Sequence, residues 1–362
     1  MDATCDLDTM VDDLRLLVEV ESPSLDRVAL DHSAEVLAGL MERRLGSAPA
    51  IVNGPAGSHV HWSGGGDPQV LILGHHDTVF PLGTLERRPF TVVDGRATGP
   101  GVFDMKAGIV QAIHAVASLD DRSGIEILMT CDEEVGAATS KELLCQRALA
   151  CGAVLVLEPS ADGGALKTGR KGVGTFEVQI AGRAAHAGLE PHLGINSVVE
   201  AAHQLLVIAA IADPALGTTV TPTVIQGGTT ENVVPAATSI KVDVRVSTME
   251  EAARVEAAMA ALKAVIDGAA IEVLGRISRP PLPESASAEL FPMARAHDPE
   301  ITGISVGGGS DGNFTAALGV PTLDGLGAVG GGAHADTEHV LIETMPPRAA
   351  LLRAVLSARL AP

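Results

Sequence analysis

Short apolar runs spaced widely along the chain constrain its fold more than any other feature. Residues 70–73, 125–129 and 153–157 are mostly apolar, and 321–323 forms a shorter fourth run after a helix that ends at about 315–319. Helical stretches such as 108–119 and 140–150 lie between them. Runs of this kind, separated by helices, form strands covered on both faces, which gives a buried, mostly parallel sheet. Upstream, Leu7, Met10, Val11, Leu14, Leu17 and Val18 fall on one helical face, and Ser22-Pro23-Ser24 separates that helix from a second one ending near Arg44.

The middle of the chain has a different period. Residues 174–180 alternate, as do 239–246, where Ile240, Val242, Val244 and Val246 share a face. A helix at about 196–212, a strand at about 219–226 and a helix at about 249–266 complete an α+β pattern. The chain therefore reads as α/β, with a first domain of residues 1–170 and 277–362 interrupted by a second domain of 171–276. Its 362 residues suit two domains at roughly 150 residues each.

Charge and composition remove several classes of function. The formal net charge of −20 repels nucleic acid and anionic lipid, so neither is expected as a partner. The apolar run 205–212 is too short to cross a bilayer. The acidic start of the chain lacks the basic segment of a secretory signal. Cys5, Cys131, Cys145 and Cys151 form no CxxC pair and no disulfide framework. These features predict a cytoplasmic globular protein. With no tyrosine in the chain, a tyrosine nucleophile is excluded.

The chemistry lies where the apolar runs end. Gly74-His75-His76-Asp77 follows the first, Cys131-Asp132-Glu133-Glu134 the second and Glu158-Pro159 the third; the fourth leads through glycines to His334. Open α/β sheets bind ligands beyond the carboxyl ends of their strands. Taken singly, each residue has an ordinary reading as a helix cap, a solvated acid or a buried histidine. A carboxylate directly after a buried strand, however, needs a partner or a cation. Asp104, held by the turn Gly99-Pro100-Gly101, adds another acid. Two histidines and several carboxylates together make a ligand set for a pair of divalent metals.

Gly74-His75-His76-Asp77-Thr78-Val79, Gly99 to Gly108, Asp132-Glu133-Glu134-Val135-Gly136, Glu158-Pro159, Gly182 to Gly188, Gly227 to Pro235, Gly308 to Gly312 and His334 occur in one order. In that order they resemble the di-zinc family of acetylornithine deacetylase, succinyl-diaminopimelate desuccinylase, aminoacylase-1 and glutamate carboxypeptidase, over nearly the whole chain. The resemblance implies a zinc-peptidase-like catalytic domain and a ferredoxin-like domain for dimerisation and lid closure. It implies two metal ions per chain, zinc or alternatively cobalt or manganese. His75 and Glu158 would bind one, Glu134 and His334 the other, and Asp104 both. Glu133 would be the general base for the zinc-activated water, and Asp77 would orient His75. Many glutamate carboxypeptidases have a second Asp where this chain has Met105, and in the family the bond at that position is often cis.

For the substrate side, the resemblance implies that Arg279 grips a free carboxylate, a job that suits a planar guanidinium. It also implies that His186 reaches the partner subunit's site in a homodimer and that Asn232 contacts substrate or oxyanion. Arg245 matches a family pattern but has an equally good structural reading beside Asp243. The implied reaction removes a C-terminal amino acid, glutamate being the first choice, from small N-acyl or peptidyl substrates. An N-acyl amino acid deacylase is the alternative. An inactive dimeric binding module would lack a ligand or Glu133, and all are present. A serine hydrolase would need a G-x-S-x-G elbow, which the chain lacks.

Overall fold

A computed structural model describes residues 6–361; Cys5 and the acidic start of the chain lie outside them. The chain divides into two compact units. One takes in the chain up to Gly169, Leu282–Val306 and the chain from Ser310 onward; the other comprises Arg170–Pro281 and Gly307–Gly309.

The first unit is built on a six-stranded sheet. Val70–His75 lies between Ile125–Thr130 and Val154–Val156 and runs parallel to both; Thr322–Leu323 extends the parallel part. Every residue of Val70–His75 and Ile125–Thr130 is buried. Successive side chains point to opposite faces of a strand, and both faces are covered here. Leu71, Leu73, Leu128, Val154 and Val156 pack with Leu144, Ala148 and Phe314 on one face. Val70, Ile72, Ile125, Ile127, Met129 and Leu155 pack with Leu14, Leu37, Ile109, Ile113 and Leu352 on the other. Glu126, the one acid within these runs, is also buried; Arg147 donates to it from the helix Lys141–Cys151 and His61 lies 3.1 Å away.

Two strands that periodicity does not reveal, Ala50–Asn53 and Ser58–Ser63, add antiparallel to the far side of Ile125–Thr130. The first two helices, Leu7–Val18 and Arg27–Leu45, start at Asp6 and Asp26, whose side chains accept from Thr9 N and Ala29 N. The second stops at Gly46, in the left-handed conformation at φ 78°, a C-terminal stop that glycine adopts without a Cβ penalty.

The second unit has a four-stranded antiparallel sheet in the order Thr219–Gly227, Ala237–Val246, Gly172–Ala181, Ala270–Arg279. With the helices Ser197–Ala209 and Met249–Ala260 this makes the ferredoxin-like βαββαβ arrangement. Its core is the apolar face read from the sequence: Ile240, Val242, Val244 and Val246, against Phe176, Val178, Ala201 and Val255. The strand Ala270–Arg279 is absent from the periodicity reading. Gly275 at φ 100° and a register shift after Ile277 interrupt its alternation.

Candidate metal centre

His75 ends the central strand and is 1% exposed. Its Nδ1 lies 3.0 Å from the Asp77 carbonyl oxygen and 3.4 Å from Asp77 Oδ1. Its Nε2 points the other way, 3.3 Å from Asp104 Oδ1 and 3.7 Å from Glu158 Oε1. The other oxygen of Asp104 lies 3.4 Å from His334 Nε2, and that nitrogen is 3.1 Å from Glu134 Oε2. Two triads result, His75–Asp104–Glu158 and Asp104–Glu134–His334. In each, one ligand atom per residue lies within 4.8 Å of the others. Asp104 belongs to both and turns one oxygen to each.

Local chain geometry produces this convergence. Asp104 follows Gly101, which has φ 71°, and the Asp104–Met105 peptide bond is cis. His334 itself has φ 62°, in the small left-handed region where histidine is several-fold enriched among non-glycine residues. Glu133 and Glu134 lie in one turn after the strand Ile125–Thr130. Asp77, fully buried, accepts from Ser24 Oγ at 2.7 Å and from the backbone N–H groups of Glu133 and Glu134 at 3.3 and 3.2 Å. It therefore fixes the acid pair as well as the His75 ring.

The electrostatics call for cations. Asp104 Oδ1 and Glu134 Oε1 are buried with no directed hydrogen bond. Burial pushes Glu134 up, Asp104 and Glu133 add to that, and the His334 hydrogen bond opposes it. Burial disfavours the Asp104 anion, yet hydrogen bonds from His334 and His75 hold it far below the usual range. Donating to the Asp104 and Glu134 carboxylates pushes His334 up to about 10. His75 is also raised, its burial outweighed by Asp104 and Asp77. Carboxylates this close are stable only with positive charge among them. Imidazole nitrogens and carboxylate oxygens at this spacing fit a pair of divalent ions.

One contributor escapes sequence reading. Glu338, fully buried, accepts from the backbone N–H groups of Gly101, Phe103 and Asp104 at 3.0, 2.9 and 2.9 Å. Burial pushes its carboxyl up to about 7 against those three donors. Its only sequence signal is its place four residues after His334. His339, next along, contacts the Thr337 carbonyl and belongs to neither triad.

The remaining candidates lie on the second unit. His186 and Asn232 are brought onto facing segments by a bridge between His186 and Val233 and by the Ala187 N–H donating to the Asn232 carbonyl at 2.9 Å. His186 is exposed, and its Nδ1 accepts from the N–H groups of Gly188 and Leu189, both at 3.1 Å. In the neutral ring this leaves the proton on Nε2. Arg279 ends the strand Ala270–Arg279 and is 6% exposed. Arg245 is engaged by Asp243 through two hydrogen bonds, at 3.0 and 2.9 Å.

A mostly parallel sheet with two overlapping sets of candidate ligands beside its carboxyl edge has the donor chemistry of a dinuclear metallohydrolase. The model described as Peptidase family M20/M25/M40 matches residues 71–358, and the chain belongs to that family of metallopeptidases and amidohydrolases. Carboxypeptidase G2 of Pseudomonas sp. (strain RS-16) is 32% identical over 303 residues, which is 79% of this chain and 72% of that protein. Succinyl-diaminopimelate desuccinylase of Thioalkalivibrio sulfidiphilus (strain HL-EbGR7) is 30% identical over 311 residues, 78% of this chain and 81% of that one. The crystal structure of aminopeptidase PepT from Bacillus cereus ATCC 10987 superposes with a TM-score of 0.78 at 19% identity, covering 98% of this chain and 99% of that chain. The crystal structure of Bacillus subtilis YXEP protein, described as a dinuclear metal binding peptidase from the M20 family, superposes with a TM-score of 0.64 at 16% identity, covering 96% of this chain and 97% of that chain. The chain is thus a hydrolase of the exopeptidase and deacylase class. Among the described residues, no helix is long and apolar enough to cross a membrane.

Proposed function

We propose that this enzyme removes a C-terminal amino acid, with glutamate the first to test, from small N-acyl or peptidyl substrates. The observation that carries the reading is the Asp104-centred double triad with Glu133 beside it, in a chain whose similarity to a carboxypeptidase extends over 79% of its length. His75, Asp104 and Glu158 would hold one ion and Asp104, Glu134 and His334 the other. When bound, the pair supplies Lewis-acid activation of a water and of the scissile carbonyl. Glu133, next to a ligand and half-buried, takes a proton from the attacking water and returns it to the leaving amine. Asp77 keeps the His75 ring and the Glu133 backbone in register. The His186 Nε2–H and Asn232 donate to the oxygen that gains charge as the carbonyl is attacked. Arg279 reads the substrate's free carboxylate.

The alternative is a deacylase that specifies the acyl group, favoured by the similarity to a desuccinylase over 78% of the chain. Both hydrolyse one amide, and they differ in which product the enzyme recognises. A panel of N-acyl amino acids, varied first at the amino acid and then at the acyl group, separates them by kcat/KM. A steep dependence on the C-terminal residue with tolerance at the acyl group supports the carboxypeptidase; the reverse supports the deacylase. Amidating the C-terminus should cost wild type about 2–5 kcal/mol of transition-state binding and should cost Arg279→Ala, which has already lost the contact, almost nothing. If amidation harms both equally, Arg279 does not read the carboxylate.

A further inference from the structure

Beside the dinuclear centre lies a second concentration of metal-ligating chemistry that the reaction does not use. A ring nitrogen of His59, the Cys131 sulfur and a carboxylate oxygen of Asp132 lie within 4.8 Å of one another. His59 comes from the strand Ser58–Ser63, and Cys131 and Asp132 from the turn after Ile125–Thr130. These strands are antiparallel neighbours. The three residues are 2%, 0% and 1% exposed.

Their polar atoms are incompletely satisfied. His59 Nδ1 and Asp132 Oδ1 are buried without a hydrogen-bond partner. Asp132 Oδ2, in contrast, accepts from Thr139 N, Thr139 Oγ1 and Ser140 N. One edge of that carboxylate is therefore fixed while the other is left over. Burial lowers the His59 pKa, against the pull of Asp132 and Asp77. A neutral imidazole with an available nitrogen is the ligating form. Buried polar atoms without partners are rare and call for a reason.

We propose that His59, Cys131 and Asp132 form a third metal site, selective for zinc-like divalent ions and separate from the catalytic pair. The mixed N, S and O set matches Zn²⁺, Co²⁺ or Cd²⁺ and not Mg²⁺ or Ca²⁺, which take oxygen ligands. Binding is charge-neutral: the cation's two positive charges meet the Asp132 carboxylate and a Cys131 thiolate, whose proton leaves to solvent. The ion would clamp the strand Ser58–Ser63 to the turn that continues into Glu133 and Glu134. It would be structural: Asp132 adjoins Glu133 in the chain, but none of the three residues belongs to either triad.

Cobalt reports on the thiolate directly. Metal-stripped protein titrated with Co²⁺ should show a sulfur-to-cobalt charge-transfer band in the near ultraviolet that is complete by three equivalents per chain, when both triads and this site are filled. Cys131→Ser should abolish the band, and Cys145→Ser and Cys151→Ser should retain it. Amide hydrolysis by Cys131→Ser loaded with two equivalents should stay within about twofold of wild type. If circular dichroism shows that Cys131→Ser does not fold, His59→Gln replaces it; that variant keeps the thiol and should need at least tenfold more Co²⁺ to develop the band. A wild-type protein without the band, a band unchanged in Cys131→Ser, or one unchanged in His59→Gln would overturn the site. The band depends on sulfur, and the dinuclear triads contain none, so this result stands apart from the catalytic reading.

Discussion

Glu133 and Glu134 differ by one position in the chain, and that offset separates their surroundings. Glu134 faces His334 at 3.1 Å and shares a triad with it and Asp104. Glu133 is anchored through its backbone N–H to Asp77 and belongs to neither triad. A residue with this placement should act on protons and not on metal. Glu133→Gln should therefore keep two bound ions and near-normal substrate affinity while kcat falls about 10²–10⁴-fold or more, since one carboxyl moves the proton both ways. Metal analysis combined with steady-state kinetics checks this. Near-normal turnover in a fully loaded Glu133→Gln protein would remove the residue from the role.

At the scale of elements, the centre depends on a loop with little intrinsic reason to hold its shape. Gly101 to Asp104 is pinned by three N–H donors converging on Glu338, and Lys106, fully buried in side chain, donates to the Val20 carbonyl. Burial raises the Glu338 carboxyl to about 7, so at about pH 8–9, where it is ionised, Glu338→Gln keeps the shape but replaces an anionic acceptor with a neutral amide, weakening charge-assisted bonds that are roughly twice as strong as neutral ones. Its expected effect is at least tenfold weaker metal retention in chelator competition, with activity recovering at saturating metal; Glu338→Asp should restore part of the affinity. Metal affinity unchanged in both variants would relieve Glu338 of the role. A second junction ties helices together: Asp13 accepts from Arg44 at 2.7 and 2.9 Å and lies 2.7 Å from His114 Nε2. Burial opposes ionisation of Asp13, but hydrogen bonds to His114 and Arg44 keep its pKa below the ordinary value. A depressed folded-state pKa stabilises at pH above the unfolded value of about 3.9, and that contribution is lost as pH falls through the folded one. Asp13→Asn should cost about 1–3 kcal/mol at neutral pH in denaturant melts, and the gap to wild type should narrow below about pH 4.

The same elements show what the sequence reveals. The runs at 70–73 and 125–129 announce themselves because both faces of those strands are buried. Ser58–Ser63 is buried at Ser58, His59, Val60 and Trp62, yet it reads Ser-His-Val-His-Trp-Ser, and Ser58 and His61 find Asp31 and Glu126, neighbours distant in sequence. The hairpin of Thr91–Val93 and Arg96–Thr98 turns at Asp94-Gly95, both at positive φ. Asp-Gly is a recognisable hairpin signal, but strands of three residues offer too few positions to show a period. The metal triads come from motifs whose residue types are themselves the signal. Glu338 acts on backbone N–H groups, which no sequence displays.

At the scale of the whole molecule, the second unit carries a surface unsuited to water. On the helix Ser197–Ala209, Val199, Leu206 and Val207 are 46%, 75% and 47% exposed. That helix packs on the strand Thr219–Gly227, which is an edge of its sheet and exposes Val224 and Ile225 at 43% and 50%. A nine-residue edge strand with apolar side chains is a template for pairing. A two-fold contact would join two such edges into one continuous sheet and bury the helices together, needing about 800 Å² per partner. The chain's net charge of −20 opposes association, so added salt should tighten the dimer by screening. We expect wild type to sediment as a dimer at assay concentration and Leu206→Glu/Val207→Glu to sediment as a folded monomer; a monomeric wild type, or a double variant that stays dimeric, would exclude this surface. Whether His186 serves its own subunit or its partner can then be decided by mixing two inactive proteins, Glu133→Gln and His186→Gln. In a mixed dimer the His186→Gln chain keeps Glu133 and the Glu133→Gln chain keeps His186. If the histidine serves its own subunit, both sites in that dimer are crippled and mixing restores nothing. If it serves the partner, one site per mixed dimer regains both groups, and with half the dimers mixed about a quarter of all sites should recover.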